Sequence, residues 1–162
     1  MRRKFGRMIN DLAKKDKKIV LIVGDIGYGI FDDFRKNHPD RFYNMGICEQ
    51  SIIGFASGMA LENMKPWVYT ITPFLIERPF EQVKLDINQQ KANVKLVGYA
   101  DYPSLGPTHS EMINKKTMSL FKNIKSFFPK DSDETAKAIQ YSYKRKGPCF
   151  ISLKSDKKIK KF

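Results

Sequence analysis

The sequence predicts an α/β domain of three layers, a mostly parallel twisted sheet with helices on both faces. Two observations carry this. Short continuous apolar runs recur along the chain: KIVLIV at 18–23, WVYTI at 67–71 and CFISL at 149–153. Runs of that length without polar alternation suit strands buried on both faces, as in a parallel sheet. Between them lie segments whose apolar residues recur at helical spacing, and strands alternating with helices wind into a right-handed α/β sheet. No internal repeat and no linker breaks the alternation. The expectation is therefore one domain over 1–155, followed by a basic tail at 156–162.

Residues 3–15 place Phe5, Met8, Ile9 and Leu12 on one face of an amphipathic helix. The 18–23 strand ends in Gly24-Asp25-Ile26-Gly27-Tyr28-Gly29, whose spacing is not that of a dinucleotide fingerprint. Asp25 is a candidate cap for a helix at 31–37, which His38-Pro39 ends. A strand at 41–45 leads into a helix from Glu49 to about Asn63, and WVYTI follows as the third strand. One long helix is expected over about 75–91, with Phe80, Val83, Leu85 and Ile87 among its apolar positions. Pro79 fits it only in a first turn or at a kink. Val94–Val97 is a fourth strand, and the Gly-, Pro- and Ser-rich connection 99–110 is long enough to suggest function. A helix at 111–121, a strand at 124–128, a helix at 132–144 opened by Asp131 and Glu134 as a capping box, and the last strand complete the chain.

The 162 residues can bury a substantial core. No stretch has the length needed to span a bilayer, and no apolar signal core follows the basic N-terminus, so a cytoplasmic protein is expected. Cys48 and Cys149 fit neither a metal-ligand spacing nor a disulfide framework. The net charge of +13 raises the question of a nucleic-acid partner. Against it, the lysines are scattered, outnumber the arginines, and form a dense run only from Lys154 to Lys161, while no nucleic-acid motif is present. A positive field equally draws in sugar phosphates or an acidic subunit.

In parallel sheets ligands gather beyond the carboxyl ends of the strands. Asp25, Glu49, Thr70–Phe74 and the 99–110 connection all fall there. Glu49 opens a helix rich in small residues (Gly54, Ala56, Ser57, Gly58, Ala60), which lets another backbone come close. A Glu in that position also complements the positive end of the helix dipole, so the residue alone leaves both a structural and a chemical role open.

The order of the motifs narrows this. YNMGICEQ with its small-residue helix, KPWVYT at 65–70, FLIERPFEQVKLDI at 74–87, NVKLVG at 93–98 and GPTH at 106–109 resemble the pyrimidine-binding domain of transketolase-like, thiamine-diphosphate-dependent enzymes. The resemblance covers roughly 19–155 and implies the pyrimidine-type thiamine-diphosphate-binding fold. It also implies roles. Glu49 matches the carboxyl that hydrogen-bonds N1′ of the cofactor and favours the imino tautomer, which takes the thiazolium proton. Such a carboxyl works best in an apolar pocket, where burial keeps a proton available. Phe74 matches an aromatic against the aminopyrimidine, with Ile71 standing where the family carries its first aromatic. Asp25 matches an acidic residue near the cofactor. His109 matches the His of GPTH that reaches donor-sugar hydroxyls. Cys48 replaces an Ala and is expected to be a buried filler.

Three positions depart from the pattern: Ile71, Leu105 where an Asp precedes GPTH, and Lys154-Ser155 where a phosphate-binding Arg follows the last strand. The Mg²⁺ and diphosphate motif has no counterpart here, so no metal ligand is assigned to this chain. The resemblance thus implies one subunit of a split enzyme. A partner chain would bring the diphosphate and Mg²⁺ site, and a heterotetramer would be built around a pair of these chains. The helix 50–61 and the helix after Phe74 are the candidate interfaces. Transfer of a ketol unit between sugar-type substrates is the expected reaction. The β-type subunit of a 2-oxo acid dehydrogenase or decarboxylase, and a non-catalytic assembly protein of the same fold, stand as alternatives.

Overall fold

The computed structural model describes residues 1–100, 106–109 and 114–154. Six strands form one open, all-parallel sheet: β1 (Ile19–Val23), β2 (Phe42–Asn44), β3 (Lys65–Ile71), β4 (Lys95–Tyr99), β5 (Lys125–Phe127) and β6 (Cys149–Leu153), in the order β2-β1-β3-β4-β6-β5. The helices are α1 (Arg2–Lys15), α2 (Asp32–Asn37), α3 (Glu49–Leu61), α4 (Thr72–Ile76), α5 (Phe80–Gln82, continuing as a π-helical segment Val83–Gln89), α6 (Asn114–Ser119) and α7 (Ser132–Lys144). Among the described residues no helix is long and apolar enough to cross a membrane.

Side chains alternate between the faces of a strand, and the apolar runs therefore feed two cores. Ile19, Leu21, Val23, Trp67, Tyr69, Val97, Tyr99, Ile151 and Leu153 meet α1, α2 and α7 on one face. Val20, Ile22, Val68, Leu96 and Phe150 meet α3, α4, the π segment and α6 on the other. Phe5 of α1 stacks on Tyr69 at 5.8 Å between ring centroids, and Phe31 packs edge-on to the same ring at 4.9 Å.

The long helix expected over 75–91 is not one helix. Pro79 has no N–H, and within a continuous helix its ring would clash with the carbonyl four residues back. α4 accordingly stops at Ile76, and Pro79 becomes the cap of a second segment, its carbonyl accepting from the Val83 amide at 2.8 Å. The wider π turn that follows buries Val83 and Ile87 and leaves Leu85 exposed. Asp25 does not cap α2 either. That helix starts at Asp32 with Phe31 as its cap residue, and the Asp32 carboxylate accepts the Gly29 amide at 3.3 Å. The Asp131 carboxylate does cap α7, accepting the amides of Asp133 (2.9 Å) and Glu134 (2.8 Å). The Glu134 carboxylate reaches one residue further than in a strict box, to the Lys130 amide. Of the helix expected at 111–121 the described part is α6. Leu105, Ser155 and the tail 156–162 lie outside the described residues.

At the amino ends of the strands Lys95 is 1% exposed. Its ammonium donates to the Asn93 side-chain oxygen (2.7 Å) and to the carbonyls of Arg145 (3.0 Å) and Gly147 (2.5 Å), tying the α7–β6 turn to β4. Burial disfavours the charge and lowers this lysine to about 8 from 10.5. Between those values the unfolded chain holds the proton and the folded chain does not, so this group makes stability rise with pH across that window. Urea unfolding of wild type and Lys95→Met at pH 7 through 10.5 checks it. The free-energy difference between them should move in favour of wild type as pH rises, and parallel curves would exclude it.

Candidate active site

The chain runs from β1 to β2 on one side and returns through α3 to β3 on the other, so the crevice between the carboxyl ends of β1 and β3 is where connections diverge. The approach there is close. A side chain at Gly24, just past β1, would put its Cβ 3.1 Å from the Thr70 hydroxyl and 3.5 Å from the Gly46 carbonyl. Gly46 has φ +75°, which turns the chain from β2 into α3. The amide of Gly46 is held by the Asn44 side chain at 3.1 Å, and the Cys48 thiol donates to the Met45 carbonyl at 3.0 Å. Cys48 is half-buried, a helix-entry residue more than a core filler.

This turn aims Glu49, the first residue of α3, into the protein, where it is 3% exposed. The surroundings are not only apolar: the Arg78 guanidinium bonds the Glu49 carboxylate, Nη1 to Oε1, at 3.0 Å. Arg78 follows the end of α4, four residues after Phe74. Its Cζ lies 3.4 Å from the Phe74 ring centroid. The His109 ring meets Phe74 edge-on at 4.7 Å. Glu49, Phe74 and His109, far apart in sequence, therefore belong to one constellation with Arg78 between carboxylate and ring. Ile71, 8% exposed like Phe74, ends β3 and leads straight into α4. Thr70, against Gly24 just past β1, and Thr72, against Gly98 of β4, carry buried hydroxyls with no hydrogen-bond partner among the described residues. Gly98 makes room for Thr72, since a Cβ there would run into its hydroxyl.

Asp25 joins a neighbouring cluster. With φ +50°, it takes the Tyr28 phenol at 2.7 Å and the Asn44 amide group at 3.3 Å on its carboxylate, while its own amide donates to the Asn44 oxygen at 3.1 Å. The Tyr28 hydrogen bond, then that of Asn44, holds the Asp25 carboxyl below its ordinary value. Sequence reasoning misses Arg78, Tyr28 and Asn44. Arg78 lies only four residues after Phe74, in the turn past the end of α4.

An enzyme-type cleft of a parallel α/β sheet, with a buried carboxylate at a helix start and an aromatic wall, is the class these features define. The comparisons agree. Residues 1–157 match the family model described as "Transketolase, pyrimidine binding domain", and the chain belongs to that family. It is 40% identical over 123 residues (74% of the chain, 40% of the relative) to a subunit of the apulose-4-phosphate transketolase of Actinobacillus succinogenes. It is 31% identical over 156 residues (91% of the chain, 23% of the relative) to "1-deoxy-D-xylulose-5-phosphate synthase" of Oleidesulfovibrio alaskensis. Among solved structures, "Split gene transketolase, inactive beta4 tetramer" superposes with a TM-score of 0.85 at 29% identity, covering 94% of this chain and 50% of that one. The chain spans half or less of the length of these proteins.

The Tyr28–Asp25 contact can be measured directly. In Tyr28→Phe, which loses the leading cause of the low value, the Asp25 carboxyl should titrate at higher pH by carboxyl-carbon NMR. An unchanged midpoint would place the cause elsewhere. Because the folded group sits below its unfolded value, its contribution to stability is present above the unfolded value and is lost as pH falls through the folded one.

Proposed function

We propose that this chain is the pyrimidine-binding subunit of a heteromeric, thiamine-diphosphate-dependent transketolase-like enzyme that moves a ketol unit between sugar or sugar-phosphate substrates. A partner polypeptide brings the diphosphate and Mg²⁺ site. The observation that supports this most is the slot between the Glu49 carboxylate and the Phe74 ring. It already takes a flat, N–H-bearing cation, the Arg78 guanidinium, bonded at its edge and stacked on its face. An aminopyrimidine would use the same two places with the edge bond reversed, its ring nitrogen N1′ accepting from the Glu49 carboxyl where the guanidinium donates to it, and the residues fit the group in that form. The two partnerless hydroxyls of Thr70 and Thr72 offer further polar contacts nearby.

When bound, thiamine diphosphate supplies the nucleophilic carbon that carries the ketol unit. The chain's own residues do the rest. Glu49 holds a proton between its carboxyl and pyrimidine N1′, and burial at 3% exposure keeps water from competing for it. Phe74, with Ile71 beside it, forms the apolar wall. Asp25 serves the cofactor side from the neighbouring loop. His109, set against Phe74, is placed to donate to a substrate hydroxyl at neutral pH.

The outer face of α3 is the interface in this reading. Gln50, Ser51, Gly54, Phe55, Gly58 and Leu61 are exposed there, and no charge falls between Gln50 and Leu61 in a chain of net +13. A second copy of the chain and the partner subunit together cover it, which gives the dimer-based heterotetramer. The protein works in the cytoplasm, in carbohydrate metabolism.

Turnover of ketose donors by the reconstituted pair tests the role of Glu49. Glu49→Gln should cost at least about 100-fold in kcat, the scale of a lost proton-transfer group. Turnover equal to wild type would exclude that role.

A further inference from the structure

We propose that Arg78 is an internal occupant of the pyrimidine slot, so that the cofactor's aminopyrimidine enters by displacing a guanidinium. This rests on the function proposed above and adds a step to it. The guanidinium occupies both places the ring would need: Nη1 donates to Glu49 Oε1 at 3.0 Å, and Cζ lies 3.4 Å from the Phe74 centroid. Planes that close are already in van der Waals contact, so no second ring fits between them. The guanidinium and the neutral aminopyrimidine compete for one carboxyl edge and one aromatic face.

The position of Arg78 suits an exchange. It lies in the break between α4 and α5, just before Pro79, outside both helical hydrogen-bond ladders. Its side chain is 35% exposed and that of Glu49 is 4% exposed. The arginine therefore has solvent to move into, whereas the carboxylate has none. A buried carboxylate stripped of its cation is strongly unfavourable, so Arg78 leaves as the Glu49 carboxylate takes a proton from solvent, and that proton then bonds the arriving ring nitrogen. Release and binding become one event. The free chain keeps its carboxylate paired and its aromatic wall covered until then. Arginine suits this better than lysine, because a planar group with edge donors both lies on the Phe74 ring and bonds the carboxylate, filling the two places an aminopyrimidine would take.

The test uses the full chain and the pyrimidine half of the cofactor, 4-amino-5-hydroxymethyl-2-methylpyrimidine, in calorimetric titrations. Arg78→Met should bind it on the order of tenfold more tightly than wild type. Arg78→Gln serves as a second variant should the first not fold. Millimolar guanidinium chloride should compete with the pyrimidine for Arg78→Met, where equal sodium chloride does not. In wild type, the Arg78 side-chain N–H resonances should shift as thiamine is added. Binding by both variants equal to or weaker than wild type, or undetectable, overturns the displacement. The function fails separately, on Glu49→Gln turnover. If that variant loses activity while the Arg78 variants bind no tighter, Arg78 is a fixed part of the site and the function stands.

Discussion

A carboxylate that is 3% exposed has to be given a partner, and much of the structure around the crevice follows from that requirement. Glu49 is aimed inward by the Gly46 turn, so α3 must begin where the carboxyl ends of β1 and β3 come together. The partner must come from a different element, because α3 offers no cation of its own. Arg78 reaches it only because α4 begins immediately after β3 and stops within two turns. Pro79 enforces that stop. The ion pair is thus joint to the β2–α3 turn, the β3–α4 junction and the helix break.

The same requirement explains why an ion pair is tolerated in an apolar crevice. Replacing a buried pair by apolar groups often leaves stability unchanged or improved, so a buried pair is weak evidence for a purely structural role. Here the carboxylate is buried more deeply than its partner, and the partner also rests on an aromatic face. That asymmetry is what a binding site needs: one fixed, desolvated group and one that can be exchanged.

Much of this is legible in the sequence. Unbroken apolar runs such as KIVLIV and CFISL identify buried parallel strands, because period-2 alternation is absent only when both faces are covered. Asp131 announces its helix by a local hydrogen bond that depends on residues within three positions of it. Glu49, Phe74 and His109 are legible as candidates through their place after strands and the order of the motifs, and the fold brings the three together around Arg78. The helix break at Pro79 is harder to read: apolar spacing carries across 75–91, yet one missing donor and one ring clash outweigh it. Arg78, Tyr28 and Asn44 are hidden for a different reason. Arg78 and Asn44 have partners 29 and 19 residues away, which no local pattern encodes, whereas Tyr28 bonds Asp25 only three residues back, through a turn set by the backbone of the loop after β1. Asp25 reads as a cap because caps are local; its carboxylate instead takes the Tyr28 phenol and the side chain of Asn44 on the neighbouring strand.

One hydrogen bond is central to the proposed chemistry, that between the Glu49 carboxyl and the ring nitrogen N1′ of the bound cofactor. Nitrogen NMR of thiamine diphosphate labelled at N1′, bound at saturation to the reconstituted assembly, observes it directly. With wild type, the N1′ resonance should move away from its free position, as for a nitrogen sharing a proton with a carboxyl. With Glu49→Ala, it should return toward the free value. An N1′ resonance that is the same with both chains would mean that Glu49 does not touch the pyrimidine, and the site assigned to this crevice would be wrong.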